Sequence, residues 1–261
     1  MHIKKVRIRA VAVPRIYDTR VAEAGGHAQA KKQSLYYVLE LISNTGAIGL
    51  GEISDIESSW NVPAPHALCT LLASLEGADP LRHHDAWEAA TAALPEALHP
   101  ELRSLLSAAV DTALLDLVGQ HYNAPLHILL GGTHRAHIQV SWVAFIRTVE
   151  EIEEEISRKV AEGFTAFKLK VGDEPNLDME RVRLCRRIAG PEAYIKVDAS
   201  GQWEEQEAVE QITALAAVGA DAVETPLRAA ARSLAKDAPE VVNEKVEDVA
   251  EALARVRERV P

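Results

Sequence analysis

The chain has 261 residues, 48% of them apolar, which is enough to bury one large domain or one and a half and too apolar for a disordered protein. A formal net charge of −11 argues against a nucleic-acid partner, because neutralising phosphates needs a basic patch. No stretch approaches the roughly 20 apolar residues of a membrane span, and Met1 to Val13 alternates basic and apolar residues instead of forming a signal-peptide core, so a cytoplasmic protein with no membrane partner is expected.

The first third reads as α+β. Ile3 to Val13 and Tyr36 to Ile42 have strand composition, and Asn44-Thr45-Gly46 ahead of Ile48-Gly49-Leu50 is a hairpin turn signal. Between the first two strands lies a polar segment, Tyr17 to Gln33, longer than an ordinary hairpin loop and therefore a candidate lid. Its Arg20, His27, Lys31 and Lys32 are placed to meet a substrate carboxylate or simply to face water. Helical periodicity runs from about Pro65 to Gln120. His83-His84 reads as a solvated helix start, because adjacent side chains on a helix point in different directions. The two cysteines, Cys69 and Cys185, lack metal-ligand spacing and read as small buried hydrophobes.

From Val140 onward, short apolar strands alternate with amphipathic helices, the texture of parallel βα units. The predicted strands are Val140 to Phe145, Ala166 to Val171, Tyr194 to Ala199 and Asp221 to Glu224, with starts 26, 28 and 27 residues apart. That spacing is one unit of a (β/α)8 barrel. Thr148 with Glu151 forms a capping box, and Gly163, Gly190-Pro191 and Gly219 mark helix ends. The acidic run Glu150 to Glu155 lies on a helix face and reads as solubility. After the fourth strand, Arg228 to Glu244 is expected to hold an extra helical piece and a loop, followed by a helix over about Val246 to Val260. The predicted fold is thus α/β: an α+β capping domain over 1–130, then over 131–261 an incomplete (β/α)8 barrel with its first four βα units. A half-barrel leaves its fourth strand as an unpaired edge, so the chain is expected to associate, as a homo-oligomer or with a complementing partner.

Residues two apart in a strand face the same side, so Lys168 and Lys170 point together into the barrel. Each ammonium, like burial itself, is expected to depress the other's pKa and supply a neutral amine near pH 7; the bland alternative is a pair of solvated lysines. Asp198 ends the third strand and Glu224 the fourth. Carboxylates at successive strand ends meet at the C-terminal mouth, where barrel enzymes place their chemistry, and oxygen ligands there suit Mg2+. Trp203, just beyond, either walls this site or packs helix against sheet.

Five motifs in order carry a family resemblance. Gly49-Leu50-Gly51-Glu52 comes first, then Ser107-Ala-Ala-Val-Asp111-Thr-Ala-Leu-Leu-Asp116-Leu with Ala124-Pro125 and Leu129-Leu130-Gly131-Gly132. Lys168-Leu-Lys170, Val197-Asp198-Ala-Ser200 and Val223-Glu224-Thr-Pro226 follow. Together they resemble the muconate-lactonizing and mandelate-racemase branch of the enolase superfamily. The resemblance implies a Mg2+-dependent enzyme that abstracts the proton α to a carboxylate through an enediolate, with Lys170 as acid/base, Lys168 as the neighbour that tunes it, and Asp198 and Glu224 as the first two metal ligands. Ser200 stands where the family often has Asn and Thr225 where Gln is common, changes that bear on substrate contacts. A small carboxylate substrate is implied, with cycloisomerisation, racemisation or epimerisation as reaction. An acid-sugar dehydratase and a non-catalytic fragment remain as alternatives. The motifs of strands five to eight, with a third carboxylate ligand and an opposite-face lysine, are absent, so the 261-residue chain alone is expected to be inactive.

Overall fold

The computed structural model describes residues 1–19, 31–133, 135–227 and 244–245. One compact unit comprises Met1–Ile16 and Lys32–Ala136; the other takes in the described residues of 17–31 and from His137 onward.

The first unit is built on a three-stranded sheet in the order β1 (Ile3–Thr19), β2 (Lys31–Ser43) and β3 (Ile48–Ile53). β2 and β3 are antiparallel and joined through the turn that ends at Gly46, whose φ of +88° takes the left-handed conformation open to glycine. The strands run past their predicted ends: β1 continues to Thr19 and β2 starts at Lys31, so Tyr17 to Thr19 and Lys31 to Gln33 are strand and not loop. The rest of the predicted lid, with Arg20 and His27, lies outside the described residues.

β3 alternates, with Gly49, Gly51 and Ile53 buried and Ile48, Leu50 and Glu52 exposed. Its inner face packs on α3 (Pro100–Tyr122), with the shorter α1 (Pro65–Leu71) and α2 (His83–Ala92) completing the core. The two glycines allow backbone to meet backbone: a Cβ on Gly51 would stand 2.0 Å from the Ala109 carbonyl oxygen, and one on Gly49 would stand 2.1 Å from that of Ala113. Asp116 and Gln120 reinforce the contact from α3, Asp116 accepting the Leu50 N–H at 2.9 Å and Gln120 donating to the Ile48 carbonyl at 2.7 Å. Pro100 opens α3, Asn123 closes it with a φ of 46°, and one further turn, α4 (Leu126–Leu129), follows. His83, at the start of α2, contacts Asp111 at 2.7 Å.

The second unit holds parallel strands β4 (Trp142–Ala144), β5 (Ala166–Lys170), β6 (Tyr194–Asp198) and β7 (Ala222–Glu224), paired in that order. The helices α5 (Val149–Ala161), α6 (Pro175–Ala189) and α7 (Glu205–Ala217) connect them. Phe167, Leu169, Ile195 and Val197 form the core with Ile152 and Ile156 of α5 and Val182, Leu184 and Cys185 of α6. The helices begin and end where the sequence marks them: Thr148 and Glu151 make a reciprocal capping box, and Gly163, Gly190 and Gly219 all have positive φ. Arg186 fastens the end of the unit opposite the strand C-termini, donating to the carbonyls of Gly190, Pro191, Ala193 and Gly219 and to Asp221.

Two expectations change here. The edge of β7 is not unpaired, because a two-residue strand, β8 (Glu244–Lys245), runs antiparallel to it with Ala222 opposite Lys245 and Val223 opposite Glu244. Glu244 is therefore strand and not part of a loop, while the helices expected over the remainder of 228–260 lie outside the described residues. Val140 and Ser141 stand ahead of β4, and Val140 is exposed. Among the described residues no helix is long and apolar enough to cross a membrane.

Candidate functional site

Pleating decides which side chains reach the inside of the parallel sheet. On β5, Phe167 and Leu169 turn toward the helices, which leaves Lys168 and Lys170 on the opposite face. Parallel pairing sets Lys170 beside Asp198 and Asp198 beside Glu224, each the last residue of its strand. The four side chains meet. Lys168 Nζ lies 2.8 Å from Asp198 Oδ2 and 2.8 Å from Glu224 Oε1, and Lys170 Nζ lies 2.6 Å from Asp198 Oδ2.

Burial makes these pairings consequential. Asp198 is buried, and the other three are largely shielded from water. Burial raises the pKa of Asp198, but hydrogen bonds from Lys168 and Lys170, the charge of Lys170 and the Ser200 N–H outweigh it and hold the carboxyl below its ordinary value. Glu224 behaves alike, with burial outweighed by Lys168 and Lys196. For Lys168, burial pushes the pKa down, yet hydrogen bonds to Asp198 and Glu224 overcome it, so the ammonium is favoured. That reverses the expected depression at Lys168: strand spacing places a second lysine nearby, but two carboxylates stand closer and win.

The turns after β6 and β7 are strained. Ser200 has a φ of 52° and Thr225 one of 47°, both in the left-handed region that costs a non-glycine residue about 1–2 kcal/mol. Asparagine tolerates that conformation, which gives a physical reason for it at the position of Ser200. Ser200 is nevertheless useful here: its N–H donates to Asp198 Oδ1 at 2.8 Å, and its Oγ accepts from Lys170 at 3.2 Å. Trp203 is buried in the core between sheet and helices, which favours the packing role. Cys185 is buried, whereas Cys69 is only partly so.

Sequence reasoning missed Lys196. It sits two residues before Asp198 on β6, beside Lys168 in the sheet, and its Nζ lies 2.7 Å from Glu224 Oε2. The rule that placed Lys168 with Lys170 would have found it.

Four parallel strands whose C-terminal ends gather amines and carboxylates define an α/β unit of the barrel kind. Residues 8–131 match the family described as mandelate racemase / muconate lactonizing enzyme, N-terminal domain, and residues 151–260 match the enolase C-terminal domain-like family. The chain belongs to the enolase superfamily, in its muconate-lactonizing and mandelate-racemase branch. It is 36% identical over 124 residues to an L-Ala-D/L-Glu epimerase of Clostridium acetobutylicum, covering 47% of this chain and 34% of that protein. It is 28% identical over 226 residues to an N-succinyl-L-Arg/Lys racemase of Bacillus cereus, covering 84% of this chain and 57% of that protein. A dipeptide epimerase from Cytophaga hutchinsonii, solved with Mg and the dipeptide D-Ala-L-Val, shares the fold with a TM-score of 0.77 at 22% identity, over 97% of this chain and 63% of its own. The chain thus spans roughly a third to three fifths of the length of these relatives.

The residues present fit part of a Mg2+ site. Asp198 and Glu224 turn one oxygen each onto a single cationic atom, Lys168 Nζ, so two hard oxygen donors already converge on a positive charge. No cluster of three metal-ligating side chains occurs among the described residues.

Proposed function

We propose that this chain carries the proton-transfer and metal-holding half of an enolase-superfamily active site, acting on the proton α to the carboxylate of a small amino-acid derivative. Relatives that are racemases, epimerases and cycloisomerases support that reaction type. The observation that carries the proposal is the meeting of two amines and two carboxylates at three adjacent strand ends.

In this reading Asp198 and Glu224 hold Mg2+, which when bound stabilises the negative charge that builds on the substrate carboxylate as the proton leaves. Lys170 takes the proton from one face of the carbon. Ser200 Oγ and Asp198 Oδ2 fix the direction of its Nζ, so the amine loses little orientational freedom on meeting the substrate. Lys168, which the two carboxylates favour as an ammonium while no metal is bound, adds positive charge that attracts the substrate's carboxylate to the pocket. The strained turns at Ser200 and Thr225 fix the ends of the strands that supply the carboxylates.

Calorimetric titration with Mg2+ tests this reading. One site per chain is expected in the wild type and none in Asp198→Asn or Glu224→Gln. A wild-type chain without a site, or an Asp198→Asn variant that binds as the wild type does, would contradict it.

A further inference from the structure

The proposed chemistry gives no task to Lys196, although it stands beside Lys168 in the sheet. Lys196 has a side chain only 16% exposed, and its Nζ pairs with Glu224 Oε2 while Lys168 takes Oε1. The carboxylate is therefore gripped at both oxygens by amines from two neighbouring strands, and Lys168 and Lys196 lie directly opposite each other in the sheet. A glutamate held at one oxygen still turns about its terminal bond, whose torsion is soft. A second grip on the other oxygen removes that freedom and fixes the plane of the carboxylate.

We propose that Lys196 is a positioning residue: it sets the Glu224 carboxylate so that Oε1 is presented to the side where Asp198 Oδ2 also points. The proposal rests on the reading of Asp198 and Glu224 as metal ligands. It also explains why a strand would carry a lysine two residues from a metal ligand, where simple Coulomb repulsion of a dication is unfavourable.

That repulsion supplies the test, because positioning and bare charge predict opposite signs. If Lys196 acts only as a charge, Lys196→Met removes a cation close to the site and tightens metal binding. If it positions Glu224, the same change weakens binding by about tenfold or more, the usual size of an outer-shell effect. Mn2+ alone is titrated into the full chain, with binding read by water-proton relaxation and folding checked by circular dichroism. Weaker binding in Lys196→Met, recovered in Lys196→Arg, which keeps a donor of sufficient reach, is the expected result. Should Lys196→Met fail to fold, Lys196→Gln replaces it. Unchanged or tighter binding in the uncharged variant, or Lys196→Arg as weak as Lys196→Met, overturns the positioning role while leaving the metal reading intact. A wild-type chain with no Mn2+ site overturns both.

Discussion

Replacing Gly51 by alanine should damage the first unit far more than a single methyl normally does. The added Cβ would lie 2.0 Å from the carbonyl oxygen, 2.8 Å from the carbonyl carbon and 3.0 Å from the Cα of Ala109. All three are backbone atoms, so no side chain can swing aside, and β3 and α3 must part by more than about 1 Å to reach ordinary contact. Overpacking typically costs about 1–3 kcal/mol. Parting the two elements also loosens the bonds from Leu50 to Asp116 and from Gln120 to Ile48, each contributing about 1 kcal/mol. A loss of about 3–5 kcal/mol is therefore expected, a large share of a typical stability of about 5–15 kcal/mol. Gly46→Ala serves as the control: nothing lies within 4 Å of its Cβ position, so it should lose only the roughly 1–2 kcal/mol of a left-handed backbone at φ +88°. Urea unfolding followed by far-ultraviolet circular dichroism measures both. A loss below about 1 kcal/mol in Gly51→Ala, or an equal loss in the two variants, would refute the backbone-contact argument.

Three further outcomes follow from the structure. Burial and a hydrogen bond to Glu155 raise the Tyr17 phenol from 10.0 to about 12, so its contribution to stability is complete below pH 10 and lost as the pH climbs toward 12; absorbance titration should show a phenol ionising near pH 12 that is absent from Tyr17→Phe. Burial raises the Cys185 thiol to about 12, so Ellman's reagent should reach at most Cys69 in the native protein and both thiols after denaturation; prompt reaction of two equivalents would count against the buried placement. Thr225→Asn should relieve the left-handed strain at φ 47° and raise stability by about 1 kcal/mol in urea unfolding, with no gain if that turn is unstrained.

Much of the frame was legible because it depends on local periodicity. The β/α repeat after Val140, the capping box at Thr148 and the positive-φ glycines behind the helices are all short-range signals. The lysines of β5 were legible in direction, since alternation assigns a face, but the ionisation of Lys168 was not: it depends on distances to Asp198 and Glu224 that only strand pairing fixes. Lys196 was within reach of the same alternation, since it precedes Asp198 by two residues on β6. The extension of β1 and β2 and the two-residue β8 depend on partners distant in sequence, which composition does not reveal. The fit between Gly49-x-Gly51 and Ala109-x-x-x-Ala113 lay in two separate motifs, and only the fold shows them to be halves of one contact.

Selective paramagnetic broadening of lysine signals tests the shared pocket most directly. With ε-13C-labelled lysine in the chain and Mn2+ added in small increments, the resonances of Lys168, Lys170 and Lys196, assigned by single substitution, should disappear before that of Lys159 in the last turn of α5, and should persist in Asp198→Asn. Loss of all four lysine signals together, or early loss of Lys159 with the strand lysines intact, would contradict a cation site between Asp198 and Glu224.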